Sequence, residues 1–424
     1  VCLGRAPHDC DLACALTPGE IMAIFAALPA CHVVPTGARY GTVTIFVQGD
    51  YDHGVEVTTF RADGDYSDGR RPDSVSFSDS IGDDLARRDF TVNALALNTA
   101  TGAVIDAYRG RDDLRDKLIR CVGDPAVRFR EDALRMLRAV RFAATLEFTI
   151  EAATLAAIAD LAPLLANVSH ERVRDELGKM LISACPAYAL ELLRELGTLP
   201  YLLPEMLPLI GFEQNNPNHT MDVWHHTLTV VENVPAEPIM RTTALLHDLG
   251  KPECYSVGED DGIGHFYGHE AAGARIADAV LQRLRYPTEQ RQEIVRLIAN
   301  HRIDFTSDWK DAAWRRLINK LGREVVAQLI TFRHADQSGK GTRTQADCAE
   351  ETAALQRRLA EICAATPPES LKLALTGEDI MRAQNLPPGP RIGQILAQLQ
   401  ELVLVDPAVN TREELLRVLG EITR

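Results

Sequence analysis

Two aspartates near the start of the chain constrain its fold more than any other feature. Asp9 and Asp11 stand two residues apart in the stretch V-C-L-G-R-A-P-H-D-C-D-L-A. On a β-strand, alternate residues face the same side of the sheet, so both carboxylates would project together. Such a pair suits two divalent metals, and its hard oxygen atoms favour Mg²⁺. Arg5 could neutralise substrate phosphates beside them. A solvated strand end or turn is the other interpretation of this pattern.

The next segment predicts a small sheet with one helix. The motif T-P-x-E from Thr17 has the residues of a helix N-cap with Pro in the first turn. Residues 42–47 (T-V-T-I-F-V) and 54–60 (G-V-E-V-T-T-F) have the alternation and β-branching of strands. Glu56, inside the second strand, either faces solvent or supplies a third acid to the metal site. The polar, Gly-rich stretch 61–77 is predicted to be a mobile loop.

A basic motif follows that could bind a nucleoside triphosphate. In R-R-D-F-T-V-N-A, two adjacent arginines precede an aspartate and an asparagine. Guanidinium groups form strong paired hydrogen bonds to phosphate oxygens, and the polar residues could bind a ribose hydroxyl. The candidate residues are Arg87, Arg88, Asp89 and Asn93. A salt-bridged helix start is the alternative.

Residues 129–142 predict one continuous helix that could recognise a nucleobase. Asp132 and Arg135 are three residues apart and would share a helix face. Asp offers hydrogen-bond acceptors and Arg offers donors, so together they could recognise the edge of a base. An intrahelical ion pair is the simpler interpretation. Arg138 and Arg141 extend a basic ridge along the same helix.

Histidines cluster in a second segment, residues 216–345. Nitrogen ligands with one carboxylate favour Mn, Fe, Ni or Zn over Mg²⁺ alone. An adjacent His-Asp pair within A-L-L-H-D-L-G-K-P, flanked by further helical histidines, is more specific than a lone buried histidine. The histidines of this cluster are His225, His226, His247, His269 and His301, and Asp248 follows His247 directly.

Composition limits the class of protein. A chain of 424 residues suggests about three to four domains. Its 46% hydrophobic content includes no apolar run long enough to span a membrane. Nine scattered cysteines without a C-x-x-C pair indicate a reducing cytoplasm rather than a zinc-thiolate site. A net charge of −15 is unfavourable for a general nucleic-acid binder but permits a local basic groove.

Five motifs, in order, resemble a known family. They are G-R-x-P-x-D-x-D, T-G-x-x-Y-G-T-V-T, E-V-T-T-F-R, R-R-D-F-T-x-N-A, and E-D-A-L-R followed by R-x-x-R-F. Together they resemble the bacterial (class II) CCA-adding tRNA nucleotidyltransferases and their poly(A) polymerase relatives. The histidine-rich segment is similar to the HD-domain metal phosphohydrolases, in which a metal-activated water attacks a phosphoester. This resemblance implies that His226, His247 and Asp248 bind a first metal and that His269 and His301 complete or extend the site. Either His225 or His226 could be the first ligand, and the position before Thr-Leu favours His226.

The resemblance implies an α+β chain with a small mixed-sheet head and helical domains after it. We expect a nucleotidyltransferase head at 1–145, a helical nucleotide- and tRNA-binding domain at 146–215, an HD phosphohydrolase domain at 216–345 and a helical RNA-binding tail at 346–424. The implied partners are the 3′ end of tRNA, CTP and ATP, with no membrane. The implied cofactors are Mg²⁺ in the head and a divalent transition metal or Mg²⁺ in the HD centre.

The resemblance also implies roles for the candidate residues. Asp9 and Asp11 would carry the head metals. Asp132 and Arg135 would form a protein template that pairs with C or A, and Glu171 and Arg172 would support this pocket. The implied nucleotide-binding set is Arg5, Arg87, Arg88, Asp89, Asn93, Asp132, Arg135, Arg138 and Arg141.

One departure from the family pattern leaves alternatives open. The family opens with Gly-Gly-x-Val-Arg-Asp, and this chain begins where that stretch should have ended, so we expect a head truncated at its N-terminus. Residues 63–75 are present, which favours addition of full CCA or of the terminal A. The alternatives are a metal-dependent HD phosphohydrolase with an inactive head, and a poly(A) polymerase.

Overall fold

The chain forms two compact units in its computed structural model. One unit extends to Leu207 and includes Gln282–Tyr286, and the other comprises Pro208–Leu281 and the chain from Pro287 onward. The structure describes residues 2–4, 10–49, 54–64, 66, 69, 72–305 and 309–422. Among these residues, no helix combines the length and apolar character needed to cross a membrane.

A four-stranded mixed sheet forms the start of the first unit. Its strands are β1 (Leu12–Cys14), β2 (Cys31–Gly37), β3 (Thr42–Val47) and β4 (Val55–Thr59). The spatial order is β1-β4-β3-β2, with β1 parallel to β4 and the other pairs antiparallel. Helix α1 (Pro18–Ala26) covers the sheet with Ile21, which packs into the cluster of Val43, Ile45 and Val57. Both predicted strands and the capping box at Thr17 are confirmed.

The prediction of a loop over the whole of 61–77 is wrong at both ends. Strands β5 (Arg61–Asp63) and β6 (Val75–Phe77) pair antiparallel. The Arg61 guanidinium helps to hold strand β5 in place, because it binds Asp63 at 2.9 Å and also the carbonyl of Tyr40. Polar composition suggested a loop, but it does not reveal pairing between residues that are distant in sequence.

Short elements complete the head. They are α2 (Ile81–Ala86), β7 (Ala96–Leu97), β8 (Val104–Ile105), α3 (Gly110–Arg115), β9 (Leu118–Ile119), α4 (Pro125–Glu131), α5 (Leu134–Leu146) and β10 (Thr149–Ile150). The prediction of one continuous helix over 129–142 is wrong, because α4 ends before Asp132, whose backbone is extended. The Asp132 carboxylate instead accepts the N–H of Leu134 at 3.1 Å, and this bond competes with helix continuation.

After the head, the first unit continues with helices. They are α6 (Ala152–Leu161), α7 (His170–Leu181), α8 (Pro186–Glu195) and α9 (Leu199–Leu202). Helix α7 packs against α5; its Glu176 binds Arg141 of α5, and its Arg172 binds Asp132 just before α5. This packing fixes the position of Arg141, one of the candidate nucleotide-binding residues.

The second unit is helical apart from one hairpin in its described residues. Its elements are α10 (Val223–Asn233), α11 (Pro238–Leu246), β11 (Ser256–Val257), β12 (Gly264–His265), α12 (His269–Arg283), α13 (Thr288–Asn300), α14 (Asp311–Leu321), α15 (Arg323–Gly339), α16 (Gln345–Ala365), α17 (Gly377–Gln384), α18 (Pro390–Val405) and α19 (Arg412–Ile422). The last helices share a hydrophobic cluster in which Leu399, Leu415 and Leu419 are fully buried. The α+β class, with a small-sheet head and helical body, is confirmed.

Candidate functional site

The head sheet brings Asp11 next to Glu56. Leu12 of β1 pairs in parallel with Val57 of β4. The residues just before this pair, Asp11 and Glu56, are therefore neighbours at the same end of adjacent strands, and both are exposed. Carboxylate oxygens are the ligands that Mg²⁺ prefers, so these two residues fit a magnesium site.

The D-x-D motif itself is only partly described. Strand β1 begins one residue after Asp11, whereas the prediction put the motif within a strand. Asp9 and Arg5 lie outside the described residues. Of the predicted head carboxylates, the structure therefore places Asp11 alone, with Glu56 as its neighbour.

Arg87 and Arg88 follow the end of α2 and share one buried carboxylate. Arg87 binds the Asp84 carboxylate through Nε at 3.0 Å and Nη2 at 2.5 Å. Arg88 donates to the carbonyl of Asn93 at 3.0 Å and to Asp84 at 3.3 Å. Because Asp84 is fully buried, it holds both guanidinium groups beside each other. They mark a helix end, not the helix start that was the alternative interpretation.

Asp89 binds two other predicted residues, Asn93 and Arg138. Its carboxylate accepts the Arg138 Nε–H at 2.7 Å, the Asn93 amide at 3.2 Å and the backbone N–H of Phe90 at 2.8 Å. The structure therefore brings together residues that are up to 49 positions apart. Phe90 forms an isolated bridge with Cys121, which fixes this segment against the strand that follows α3.

Asp132 and Arg135 do not pair with each other in the way that a shared helix face predicted. Asp132 accepts two hydrogen bonds from the Arg172 guanidinium, at 2.6 and 3.1 Å. Arg135 binds Glu131 at 2.6 Å and the carbonyl of Arg87 at 3.1 Å. The break in the helix separates the two side chains and gives each its own partner. Arg135 thereby connects the candidate base-recognition segment to the candidate phosphate-binding segment.

Arg141 has a buried partner rather than an open basic surface. It donates to Glu176 at 2.6 Å, and Glu176 is only 3% exposed. Its guanidinium also lies 4.0 Å from the centre of the Phe142 ring. Since Arg138 is bound to Asp89, both arginines of the predicted basic ridge form ion pairs.

A cavity of about 550 Å³ opens beside the Asp132–Arg172 pair. Its lining includes Tyr66, Phe129, Ser169 and Arg172, which come from three separate segments of the first unit. The Tyr66 hydroxyl donates to Asp63 at 2.6 Å, and burial together with this carboxylate raises the pKa of Tyr66. The cavity combines an aromatic wall with a fixed guanidinium, which are suitable contacts for a planar polar base.

The second unit gathers all five predicted HD ligands. The Oδ2 atom of Asp248 lies 3.1 Å from His247 Nε2 and 3.6 Å from His226 Nε2. Its other oxygen, Oδ1, lies 3.5 Å from His269 Nε2, which is 3.3 Å from His301 Nε2. The ligand atoms therefore form two groups that could each hold a metal ion and that share Asp248.

Hydrogen bonds orient the four histidines for metal binding. In each of them Nδ1 faces a backbone carbonyl at 2.7–3.0 Å; the carbonyls are those of Gly339 for His226, Ala244 for His247, Phe266 for His269 and Ile298 for His301. A carbonyl can only accept, so Nδ1 carries a proton and Nε2 is the nitrogen that faces the other cluster residues. In the described part of the chain the buried Nε2 of His247 has no hydrogen-bond partner. This arrangement fits a metal ion bound through Nε2.

Sequence reasoning missed Asp336, on α15. Its carboxylate lies 3.2 Å from His226 Nε2 and 4.0 Å from His247 Nε2, and it forms an ion pair with Lys340 at 3.1 Å. The only signal in the sequence is an Asp and a Lys four residues apart in a helix, a pattern typical of many surface helices. Only the fold, which brings α15 against α10, shows that Asp336 belongs to this cluster.

The two adjacent histidines of α10 differ in burial. His226 is fully buried in the cluster, whereas the His225 side chain is 59% exposed and pairs with Asp222. Lys251 is also buried, with Nζ 2.7 Å from Asp248 and 2.8 Å from Gln214. It is thus part of the cluster.

Burial and neighbouring charges shift the pKa values in the cluster. Burial lowers the pKa of His301 to about 3, which keeps its imidazole neutral. Burial alone would raise the pKa of Asp248, but His247 and Lys251 hold it well below its usual range. A neutral imidazole and an ionised carboxylate are the forms that bind a metal.

A glycine permits the close packing behind the His-Asp pair. A Cβ atom on Gly250 would lie 2.2 Å from the carbonyl oxygen of His269 and 2.5 Å from the N atom of Gly273. Only a residue without a side chain fits there, because backbone atoms cannot move aside. Gly250 therefore lets the turn after Asp248 contact the start of α12, which carries His269.

Three known protein families match consecutive parts of the chain. The "Poly A polymerase head domain" matches residues 1–120, and the "Probable RNA and SrmB- binding site of polymerase A" matches 147–210. The "HD domain" matches 218–355. These matches cover the head, the helices after it and the histidine cluster.

Similar proteins are CCA-adding enzymes. The enzyme of Enterococcus faecalis is 31% identical over 425 residues, which is 98% of this chain and 87% of that protein. The enzyme of Limosilactobacillus reuteri is 50% identical over 184 residues, so the match spans 43% of each protein. The crystal structure of the Bacillus stearothermophilus CCA-adding enzyme in complex with CTP has a TM-score of 0.74 and 29% identity, covering 100% of this chain and 90% of that one. The chain belongs to the family of CCA-adding enzymes, the tRNA nucleotidyltransferases.

Proposed function

We propose that this protein adds CCA, or its terminal A, to the 3′ end of tRNA from CTP and ATP without a nucleic-acid template. The observation that carries the proposal is the match to a CCA-adding enzyme over 98% of the chain. The fold similarity to a CTP complex of such an enzyme supports it. A poly(A) polymerase shares the head domain, so product length distinguishes the two activities.

In the head, Asp9 and Asp11 would hold Mg²⁺, with Glu56 beside Asp11. When bound, Mg²⁺ would neutralise charge on the α-phosphate during in-line attack by the RNA 3′ hydroxyl. Arg5 would lie near the phosphates. The exposed positions of Asp11 and Glu56 at one end of two strands support this assignment.

The residues that follow α2, together with those on α5, would bind the nucleotide. Arg87 and Arg88 would hold phosphate oxygens, because Asp84 already fixes their guanidinium groups. Asp89 and Asn93 would bind the ribose, with Arg138 and Arg141 supporting them from α5. Asp89 and Arg138 already share a 2.7 Å hydrogen bond.

Base selection would depend on Asp132 and Arg135. Arg172 holds the Asp132 carboxylate from the side, and the carbonyl of Arg87 holds Arg135. Both base-recognition groups are therefore positioned before a nucleotide arrives, which reduces the entropy lost on binding. Small rotations of these side chains would allow either C or A to be paired.

We propose a second activity, hydrolysis of phosphoesters, at the HD centre. His226, His247 and Asp248 would hold a divalent transition metal or Mg²⁺, with Asp336 beside them, and His269 and His301 would extend the site. A bound metal would supply an activated water for attack on phosphorus. Lys251 keeps Asp248 ionised and lines the same cavity as His269 and His301.

Two substitutions test whether the centres are separate. We expect Asp11→Ala to abolish nucleotide addition while phosphohydrolase activity persists, and Asp248→Ala to do the reverse. An HD phosphohydrolase with an inactive head would show no nucleotide addition even before substitution. Loss of both activities in either variant would refute the two-centre proposal.

We propose that the protein works in the cytoplasm. Its nine cysteines all lie in the described part of the chain and all are free thiols. Free thiols persist in a reducing compartment, whereas oxidising compartments favour disulfides.

A further inference from the structure

A histidine outside the predicted ligand set lies beside the HD centre. His219 is in the segment that leads into α10, and its ring meets the His226 ring edge-on, with the ring centres 5.6 Å apart and the planes at 84°. His219 lines a polar cavity of about 550 Å³ together with Asp248, Asp336 and Lys340. Among the described residues, it belongs to neither group of possible metal ligands. The ring therefore lies at the wall of the cavity, next to the ligands but outside the set that would hold a metal.

Backbone contacts fix the segment that carries His219. Its own N–H donates to the carbonyl of Asn216 at 3.0 Å. Thr220 donates from its backbone N–H and from its hydroxyl to the carbonyl of Lys340, both at 3.2 Å. A Cβ atom on Gly341, whose φ is +74°, would lie 2.1 Å from the Thr220 Oγ1 atom, so glycine permits this contact. Because residues that follow α15 hold the segment, the His219 ring does not sit on a free loop.

The His219 ring has an unused hydrogen-bonding nitrogen. Its Nδ1 atom is buried and has no hydrogen-bond partner within the described structure. In the four ligand histidines, by contrast, Nδ1 faces a backbone carbonyl that holds the ring proton there. Without such an acceptor, a neutral imidazole can carry its proton on Nε2. The ring can therefore donate this N–H to a molecule in the cavity that it lines.

Two cations in the same cavity already have carboxylate partners. Lys251 Nζ lies 2.7 Å from Asp248, and Lys340 Nζ lies 3.1 Å from Asp336. Both lysines therefore neutralise carboxylates of the cluster before a phosphate arrives. The Nδ1 atom of His219 binds neither of these carboxylates. Of the three side chains, the histidine is the one that can bind a phosphate oxygen without giving up an ion pair.

We propose that His219 is a further catalytic residue of the HD centre, where it donates a hydrogen bond to a non-bridging oxygen of the substrate's phosphoryl group. In the hydrolysis, the oxygen of water bonds to phosphorus and releases a proton. The P–O bond to the leaving group breaks, and the leaving oxygen takes a proton from solvent. A donor that is fixed in advance stabilises the negative charge of the phosphoryl oxygens while these bonds change. The inference rests on the proposed phosphohydrolase activity and assigns to it a residue that does not bind the metal.

Hydrolysis by His219→Ala and His219→Gln tests the assignment on the full-length protein with Mn²⁺. The substrates are 4-nitrophenyl phosphate, bis(4-nitrophenyl) phosphate and phenyl phosphate, which has a poorer leaving group. We expect His219→Ala to lower kcat about a hundredfold on every ester that the wild type hydrolyses, because the donor acts on the phosphoryl oxygens and not on the leaving group. His219→Gln keeps an N–H donor and should be about tenfold more active than His219→Ala.

Three further measurements separate this role from a structural one. Bound metal, by elemental analysis, and nucleotide addition should stay at the wild-type level in both variants, since His219 is not a predicted ligand and lies in the second unit. Affinity for orthovanadate, which adopts the five-coordinate geometry of the transition state, should fall about tenfold in His219→Ala. His225→Ala is the matched control and should behave as wild type, because His225 is exposed and binds Asp222 outside the cavity.

Three outcomes would overturn the proposal. Loss of metal in step with loss of kcat would make His219 a ligand or a structural residue. A loss of kcat confined to phenyl phosphate would indicate proton transfer to the leaving group instead. Unchanged kcat and unchanged vanadate affinity would remove the contact altogether. Absence of hydrolysis by the wild type would refute the proposed phosphohydrolase activity, and the vanadate titration would still decide whether His219 contacts a phosphate analogue.

Discussion

Arg172 donates two hydrogen bonds to the Asp132 carboxylate, from Nη2 at 2.6 Å and from Nη1 at 3.1 Å. The two residues are 40 positions apart in the chain. A fork of this kind fixes the carboxylate in direction as well as position. Asp132 also accepts the N–H of Leu134, so both of its oxygens are engaged within the described structure. The position of the Asp132 carboxylate thus depends on α7, and not only on the segment between α4 and α5 that carries it.

Replacing Arg172 tests this dependence. We expect Arg172→Lys to raise KM for CTP and ATP by about tenfold and to increase misincorporation, because lysine keeps the charge but cannot form the fork. Steady-state kinetics with each nucleotide checks this. Arg174→Ala is the control on the same helix, since Arg174 binds Asp175 and the carbonyl of Arg285 rather than Asp132. Unchanged KM and fidelity in Arg172→Lys would show that Asp132 needs no such support.

Arg141 is expected to contribute to stability more than to catalysis. Arg141→Ala would leave the buried Glu176 with only the more distant Lys179, at 3.6 Å. Removing one partner of a buried pair costs about 3 kcal/mol, mostly because the other charge stays buried. Arg109→Ala, which removes an exposed ion pair with Asp112, should change stability far less. Urea unfolding of both variants measures the difference, and equal effects would contradict it.

Alkaline pH should destabilise the head through Cys121. Burial raises the pKa of the Cys121 thiol from its ordinary 9.0 to about 12. Below about pH 9 the thiol is neutral in both states. As pH rises from about 9 to 12, only the unfolded thiol loses its proton, so stability falls by up to about 1.4 kcal/mol per pH unit.

Unfolding free energies between pH 8 and 11 check the role of Cys121. The decline should be shallower in Cys121→Ala and unchanged in Cys10→Ala, because Cys10 is exposed. The same slope in all three proteins would rule out Cys121 as its source.

The two adjacent histidines of α10 provide a matched pair for testing metal binding. His226→Ala should lower bound transition metal by about tenfold or more, since it removes a buried ligand. His225→Ala should retain the metal, because the His225 side chain is 59% exposed and pairs with Asp222. Elemental analysis after dialysis against a chelator and refilling gives the answer. Equal metal loss in both variants would contradict the assignment.

The sequence predicts local structure well where local forces decide it. The capping box at Thr17 and the strand 42–47 need only neighbouring residues, and the structure confirms both. The His-Asp pair at 247–248 was likewise recognisable, because its spacing to other histidines is unusual. These features depend on contacts within a few residues or on a distinctive chemistry.

Long-range contacts account for what the sequence could not predict. The helix over 129–142 breaks where the Asp132 side chain accepts the N–H of Leu134 and binds Arg172, a residue on another helix. Asp336 joins the histidine cluster only because α15 packs against α10. The ends of the 61–77 stretch pair as strands although their composition is that of a loop. In each case a partner that is distant in sequence outweighs the local preference.

Nucleotide addition by the full-length protein tests the central claim most directly. The assay uses labelled CTP and ATP with Mg²⁺ on a tRNA that lacks its 3′ end, and on the same tRNA ending in CC. The account predicts two C residues and one A on the first substrate, a single A on the second, and then arrest. Unlimited addition of A, or no addition while phosphoester hydrolysis persists, would contradict it.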